Sequence, residues 1–301
     1  MLKIAYHPIY KYTLPNGHRF PMEKYHLLPQ KLIEKGVCKP NNFFTPSKVS
    51  SEKIIQVHTP QYYHRLTNLE LNQKEIRKIG FPLRKELVDR GHYIIDGTLQ
   101  GCHNAIQYGV SLNIAGGTHH AYADSGEAFC LLNDQAVAAQ SLLDDKTVKQ
   151  IIIIDLDVHQ GNGTAKIFEM EKRVFTFSMH GAKNYPFRKE KSDLDIPLED
   201  GTNDETYLSI LKNTLPRLLE KVQPDFAFYL SGVDILSSDK LGRLNCSIEG
   251  CYQRDLFVFE TLKNYGIPVQ VSMGGGYSKD VGVIIEAHLN TYKAAAEAFQ
   301  Y

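Results

Sequence analysis

The chain reads as an α/β fold with a central, mostly parallel β-sheet and helices on both faces. Three observations point there. The uninterrupted run Ile151-Ile152-Ile153-Ile154 is too apolar for a strand with one wet face, so it is a central strand buried on both sides. Short apolar runs alternate with helical patterns along most of the chain. Finally, four polar clusters each follow a predicted strand, and open α/β sheets build their sites beyond the strand ends.

Residues 2–6 are the first expected strand. A helix follows over 86–105, weakened by Gly91, Gly97 and Gly101. Residues 111–115 form a short strand ending in Gly116-Gly117. Asn133 is placed to cap a helix through Leu143, its side chain accepting from a free N–H of the first turn. The central strand spans 151–157 and leads into a helix over about 163–170. Residues 173–179 alternate as strands do. Residues 204–222 form a helix with Leu208, Leu211, Leu215 and Leu218 on one side and a kink expected at Pro216. Strands over 225–230 and 268–272 and helices over 249–263 and 281–299 complete the pattern. No Pro/Ser-rich linker or repeat divides the 301 residues, so one domain over 1–301 is expected.

The formal net charge is +0, which gives no support to direct nucleic-acid binding or capture by an acidic membrane. No segment is long and apolar enough to span a bilayer. The N-terminal residues lack the apolar stretch of a signal peptide. Cys38, Cys102, Cys130, Cys246 and Cys251 form no CxxC pair and read as reduced, mostly buried thiols. These features lead us to expect a cytoplasmic protein. The number of subunits is left open.

The clusters are Gly116-Gly117-Thr118-His119-His120, Asp155-Leu156-Asp157-Val158-His159, Ser231-Gly232-Val233-Asp234 and Gly274-Gly275-Gly276-Tyr277. In a parallel sheet their strand ends share one edge, so they can converge. Asp157 and His159, two apart, leave the same face of an extended chain. A carboxylate with an imidazole suits zinc and similar ions. With Asp234 the set has three ligands and an open position, which is a catalytic arrangement. By spacing alone Asp234 reads better as a turn or capping aspartate. His119 and His120 need partners that fix their tautomers, and Asp155 and Asn162 are candidates. Gly274-Gly275-Gly276 is a flexible connector or the backbone wall of a narrow channel. Tyr277 is a core aromatic or a donor to a developing oxyanion.

Together, GGTHHA at 116–121, FCLLND at 129–134, DLDVHQGNG at 155–163, YLSGVDILSSDKLGRL at 229–244 and GGGY at 274–277 resemble the histone deacetylase family of the arginase–deacetylase superfamily. The resemblance runs from Tyr6 to about His288. HQGNG and DILSSDKLGRL look most like the class IV branch and its bacterial relatives. It implies an arginase/deacetylase-like fold, with Asp157, His159 and Asp234 as ligands of one Zn2+ per chain. It also implies His119 and His120 as the tandem active-site histidines and Asp155 as the carboxylate orienting the first. Tyr277 would polarise the substrate carbonyl. Phe129 and Tyr185 would wall an acyl-lysine channel lined also by Gly275 and Gly276. A structural K+ or Na+ would lie near Asp155, Ser178 and Met179.

The implied reaction is hydrolysis of an acyl-lysine peptide or a related acylated small amine by a metal-bound water. The chain departs from class I members in carrying Asn162 in place of Asp, so His120 should be less basic. It also has no clear counterpart of the rim aspartate that holds a substrate backbone. Two rivals are a binuclear-metal ureohydrolase-like enzyme and an inactive acyl-binding protein on the same fold. The first needs more carboxylates than Gln160, Gly161, Asn162 and Ile235 provide. Retention of Tyr277 with the ligand set speaks against the second.

Overall fold

The computed structural model describes all residues, 1–301. In chain order the elements are β1 (Lys3–Ala5), α1 (Lys24–Glu34), β2 (Phe43–Phe44), α2 (Ser51–Ile55), α3 (Pro60–Thr67), α4 (Gln73–Ile79), α5 (Lys85–Tyr108), β3 (Val110–Asn113) and α6 (Asp134–Asp144). They continue with β4 (Ile151–Asp155), α7 (Asn162–Phe168), β5 (Val174–Gly181), β6 (Leu194–Leu198), α8 (Asp204–Val222), β7 (Phe226–Leu230), α9 (Ile248–Asn264), β8 (Val269–Ser272) and α10 (Val281–Phe299).

The strands form one eight-stranded sheet in the order β2-β1-β3-β8-β7-β4-β5-β6. Every pairing is parallel. The middle strands β3, β8, β7 and β4 are buried at every residue, as strands covered on both faces must be. The helices pack in two groups, α5 with α6 and α1–α10–α9–α8 in succession. The α/β architecture with a central parallel sheet is therefore as the sequence predicts. No helix is long and apolar enough to cross a membrane.

The strand order sets up the site. The four polar clusters follow β3, β4, β7 and β8, which are consecutive neighbours in the sheet. Their ends must then converge at one edge.

Boundaries differ from expectation in instructive places. β4 ends at Asp155, so Asp157 and His159 stand in the loop beyond it and not on one face of a strand. The backbone turns there because Asp157 N–H donates to Asp155 Oδ1 (3.1 Å) and Val158 N–H to Asp234 Oδ1 (2.9 Å). Helix α8 runs through Pro216 as one element. Sequence patterning marks no element at α1 to α4, β2 or β6. These are short or punctuated: α1 contains Pro29, β2 has two residues, and β6 contains Pro197. β6 is an edge strand, where a missing N–H is tolerated.

Asn133 caps α6, accepting from Ala136 N–H at 3.0 Å. Its Nδ2 donates to Thr164 Oγ1 (3.0 Å) and Ala121 O (3.3 Å), tying α6 to α7 and to the loop after His120. The residue is fully buried, so truncation strands several polar groups. Asn133→Ala is expected to lower stability by about 1–3 kcal/mol in urea titrations. Asn133→Ser, which keeps a capping oxygen, should fall between the two.

Candidate active site

Asp157, His159 and Asp234 offer ligand atoms that all lie within 4.8 Å of one another, and all three side chains are buried. His159 Nδ1 stands 3.0 Å from Asp157 Oδ1 and 3.1 Å from Asp234 Oδ2. Backbone groups aim the carboxylates. Gly275 N–H donates to Asp157 Oδ2 (2.7 Å), His159 N–H to Asp157 Oδ1 (3.0 Å) and Val158 N–H to Asp234 Oδ1. Such orientation of ligands by their neighbours is what a metal site needs.

The charges fit the same reading. Burial and the charge of Asp157 push Asp234 up to about 7. Burial opposes charge on His159, yet its hydrogen bonds to Asp157 and Asp234 carry it up to about 10. Burial also works against an ionised Asp157, but the His159 hydrogen bond and the charges of His119 and His159 hold it well below the usual range. A proton on His159 thus partly offsets two buried carboxylates, at the point where a divalent cation would serve better. The donor set and the unmet negative charge both fit a divalent ion.

His119 and His120 lie beside this cluster, their ring centres 4.1 Å apart. His119 Nδ1 meets Asp155 Oδ2 at 2.7 Å, and His120 Nδ1 meets Asn162 Oδ1 at 2.6 Å. The Asn162 amide donates to Tyr122 Oη (2.9 Å) and Glu127 Oε1 (3.3 Å). Those two acceptors orient it so that its carbonyl faces His120. His120 Nδ1 therefore carries the proton, and Nε2 keeps a free lone pair. Burial, with the charges of His119 and His159, drives His120 well below its ordinary value. Burial opposes charge on His119 too, but Asp155 overcomes it and raises that imidazole. The two rings are thus split, His119 the more basic and His120 the less.

Phe129, Tyr185 and Tyr277 line a cavity of about 350 Å³ with His120 and His159. Phe129 is presented by an unusual backbone, with φ +44° at Ala128 and +69° at Phe129. Left-handed non-glycine residues are costly. Here Ala128 N–H bonds Lys78 O (3.0 Å) and Phe129 N–H bonds Ile79 O (2.6 Å), which holds them in place. The Tyr185 hydroxyl donates to Glu127, and Lys78 pairs with the same carboxylate, so the two walls are joined. The Tyr277 N–H donates to Asp239 Oδ2 at 2.6 Å, and its half-buried ring stands edge-on to His159 at 6.3 Å. Burial and the charges of Asp157 and Asp234 raise its phenol well above the ordinary value, so it remains a donor.

The glycine run packs against the ligand carboxylates, and Gly275, expected in the channel, is not among the residues lining the cavity between Phe129 and Tyr185. A Cβ on Gly275 would lie 1.9 Å from Asp234 Oδ2 and 2.9 Å from Asp157 Oδ2. Gly276, expected in the channel, instead backs onto Val233 and Ile284; with φ +153° its missing Cβ faces those side chains and not the cavity.

Behind the ligand cluster a small chamber of about 40 Å³ holds Lys24 of α1. Lys24 is buried and donates to Gly274 O at 3.1 Å. Burial lowers it to about 8, even though Asp234 and Asp157 pull the other way. Lys24, Glu127 and Tyr122 were not singled out in the sequence. A lone lysine on a polar helix looks like a surface residue. Glu127 lay only two residues before Phe129, which was the available signal. Asp155 and Ser178 are register partners on β4 and β5, with Met179 next, and all three are buried. A larger concavity of about 940 Å³ lies between α1 and α10 and holds none of the strand-end residues.

A parallel sheet with such a cluster at its carboxyl edge defines an α/β protein with a candidate metal centre beside paired histidines. The histone deacetylase domain family matches residues 18–292, and the chain belongs to that family. It is 40% identical over 98% of its length to an uncharacterized protein of Picosynechococcus sp. strain PCC 7002, covering 99% of that protein. It is 29% identical to histone deacetylase RPD3 of Saccharomyces cerevisiae over 89% of this chain and 65% of the yeast protein. Human histone deacetylase 1 is 27% identical over 89% of this chain and 59% of its own length. The HDA15 HD domain shares the fold, with TM-score 0.81, 18% identity and coverage of 99% of this chain and 89% of that one. Family membership supports deacetylase-type hydrolase activity.

Gly275→Ala is expected to keep the far-UV circular dichroism but to lose divalent-ion binding in a metal titration. The added methyl group would have to displace the Asp234 carboxylate.

Proposed function

We propose that this chain is a zinc-dependent amidohydrolase that removes the acyl group from Nε-acyl-lysine or a related acylated amine, with residues 1–301 acting as one catalytic domain. The observation that carries this reading is the convergence of Asp157, His159 and Asp234 within 4.8 Å beside a cavity lined by Tyr277. Those three residues would hold one ion per chain. When bound, such an ion supplies Lewis acidity, which makes a water a stronger nucleophile and polarises a carbonyl.

The remaining work falls to side chains of this chain. Phe129 and Tyr185 flank the substrate's methylenes and exclude water. His120, neutral with a free Nε2, accepts a proton from the attacking water. His119, made more basic by Asp155, favours the negative charge that develops. The Tyr277 hydroxyl donates to the carbonyl oxygen as it becomes an oxyanion. His120 then returns its proton to the leaving amine. Asp155, Ser178 and Met179 are the proposed seat of a structural K+ or Na+. All five cysteines are free and buried, which suits work in the cytoplasm.

The binuclear reading has less support. The cluster comprises three residues, and the Gln160 side chain is engaged elsewhere, with Glu190 O at 2.7 Å and Asp195 Oδ1 at 2.8 Å.

The reading is tested by metal analysis with turnover of a fluorogenic acyl-lysine peptide. One zinc per chain and chelator-sensitive hydrolysis are expected; two ions at one centre would restore the binuclear alternative. Tyr277→Phe should keep fold and metal but lose about 10²–10³ in kcat. Parental turnover in that variant would place the oxyanion donor elsewhere.

Asn162 gives a separate prediction. A carboxylate there would favour protonated His120. The limb of the kcat/KM profile that requires neutral His120 should then move to higher pH in Asn162→Asp. The same change sets two carboxylates against each other, because Glu127 already faces the Asn162 amide. Stability should fall with the shift. A profile that stays put at equal metal content would reduce Asn162 to a turn residue.

A further inference from the structure

We propose that the mouth of the cavity selects acyl-lysine carried in an acidic peptide segment. This rests on the reading of the cavity as an acyl-lysine channel and adds what lies beyond the amide. Of the 13 residues lining the cavity, Arg19, Lys78, Lys183 and Arg243 are cationic and none is a carboxylate. The whole chain has net charge +0, so this concentration does not reflect a generally basic protein.

Little nearby charge offsets these groups. Lys78 pairs with Glu127. Lys183 and Arg243 share one partner, Asp200, at 3.7 Å and 3.3 Å. Arg19 has no carboxylate in salt-bridge range, and its guanidinium lies 5.0 Å from the centre of the Phe129 ring. Four cations thus face two carboxylates. The side chains of Lys78, Lys183 and Arg243 are 51%, 62% and 53% exposed, so they reach solvent at the lip and can meet a ligand.

Their placement favours a chain that crosses the mouth. Arg19 rises over the Phe129 wall, while Lys183 belongs to the loop that carries Tyr185. Positive charge therefore flanks both walls. A peptide whose lysine enters between Phe129 and Tyr185 would lay one flank towards Arg19 and the other towards Lys183 and Arg243. Phe187, 90% exposed and edge-on to Tyr185 at 6.3 Å, adds an apolar surface on the second side. Acidic flanks gain from this field, because concave clefts focus the charge of their walls. A basic tail or an acylated polyamine meets like charge.

The test uses the purified zinc-loaded protein and peptides of one length and one acyl group, with Asp/Glu, Ser/Gly or Lys/Arg flanks. An acetylated polyamine and free Nε-acyl-lysine serve as small-molecule arms. We expect kcat/KM in the order acidic, neutral, basic, with about tenfold between the extremes at about 50 mM salt and much less at about 500 mM. The difference should lie in KM. The variant Arg19→Gln/Arg243→Gln should flatten the order, bringing the acidic, neutral and basic peptides together in kcat/KM. Fluorescence anisotropy with the same peptides on Tyr277→Phe should give the same order in Kd. Equal affinities, a preference for basic flanks or polyamine, or an order that survives high salt would overturn the proposal. Absence of turnover with the Kd order intact would fault the hydrolase reading alone.

Discussion

The structure depends on keeping three aspartates buried at one edge of a sheet. Asp155, Asp157 and Asp234 are each at most 4% exposed, and an unpaired carboxylate in such a place costs several kcal/mol. Their surroundings can be understood as compensation. His119 takes Asp155, His159 bridges Asp157 and Asp234, and backbone N–H groups take the remaining oxygens. The loops carrying them are also clamped from behind. The guanidinium of Arg254, on α9 and fully buried, donates to Leu156 O at 3.2 Å and Gly232 O at 2.6 Å. Asp255 meets Arg254 Nε at 2.8 Å and accepts from Thr291 Oγ1 at 2.6 Å. A helix residue thus spans the carbonyls of both ligand-bearing loops, so site geometry and core packing are one problem.

The same field separates two histidines that are adjacent in sequence. His119 faces a carboxylate and His120 an amide. Burial works against charge on both, and only the carboxylate reverses it. Asn162 can face His120 in one orientation because its amide N–H groups already serve Tyr122 and Glu127. Glu127 in turn receives the Tyr185 hydroxyl and pairs with Lys78. The chain of contacts from the outer lip to the imidazole is short: Lys78, Glu127, Asn162, His120. A charge change at the rim can therefore be felt at the ring, which is how mouth and centre become electrostatically continuous.

How much of this was legible in the sequence follows from where each signal lives. The buried central strand, the Asn133 cap, and helices 204–222 and 281–299 were readable because an uninterrupted apolar run, a capping residue and a 3.6-residue period are local patterns. The partners of His119 and His120 were nameable because a histidine needs something on its second nitrogen and few polar residues stood nearby. Asp234 needed the resemblance, since its local context suits a turn or capping residue better. Lys24 and Arg254 could not be read locally. Each is a charged residue whose burial is decided by segments far away in the chain. The region 24–79 was opaque because its helices are short or carry proline, so too few turns repeat for a period to show.

That division has a functional meaning. The residues that would perform the hydrolysis sit at the ends of β3, β4, β7 and β8, where sheet register leaves them little freedom. The surfaces that would meet the rest of a substrate come from elsewhere. Arg19 and Phe20 precede α1, Lys78 lies in the last turn of α4, Ala128-Phe129 hangs from the carbonyls of Lys78 and Ile79, and the Tyr185–Phe187 loop follows β5. Loops and short helices can change charge and shape without disturbing the buried carboxylates that hold the centre together. The strand-end residues and the mouth are therefore set by different parts of the chain. Family membership supports deacetylase-type chemistry, and the basic lip is the ground for the proposed substrate preference.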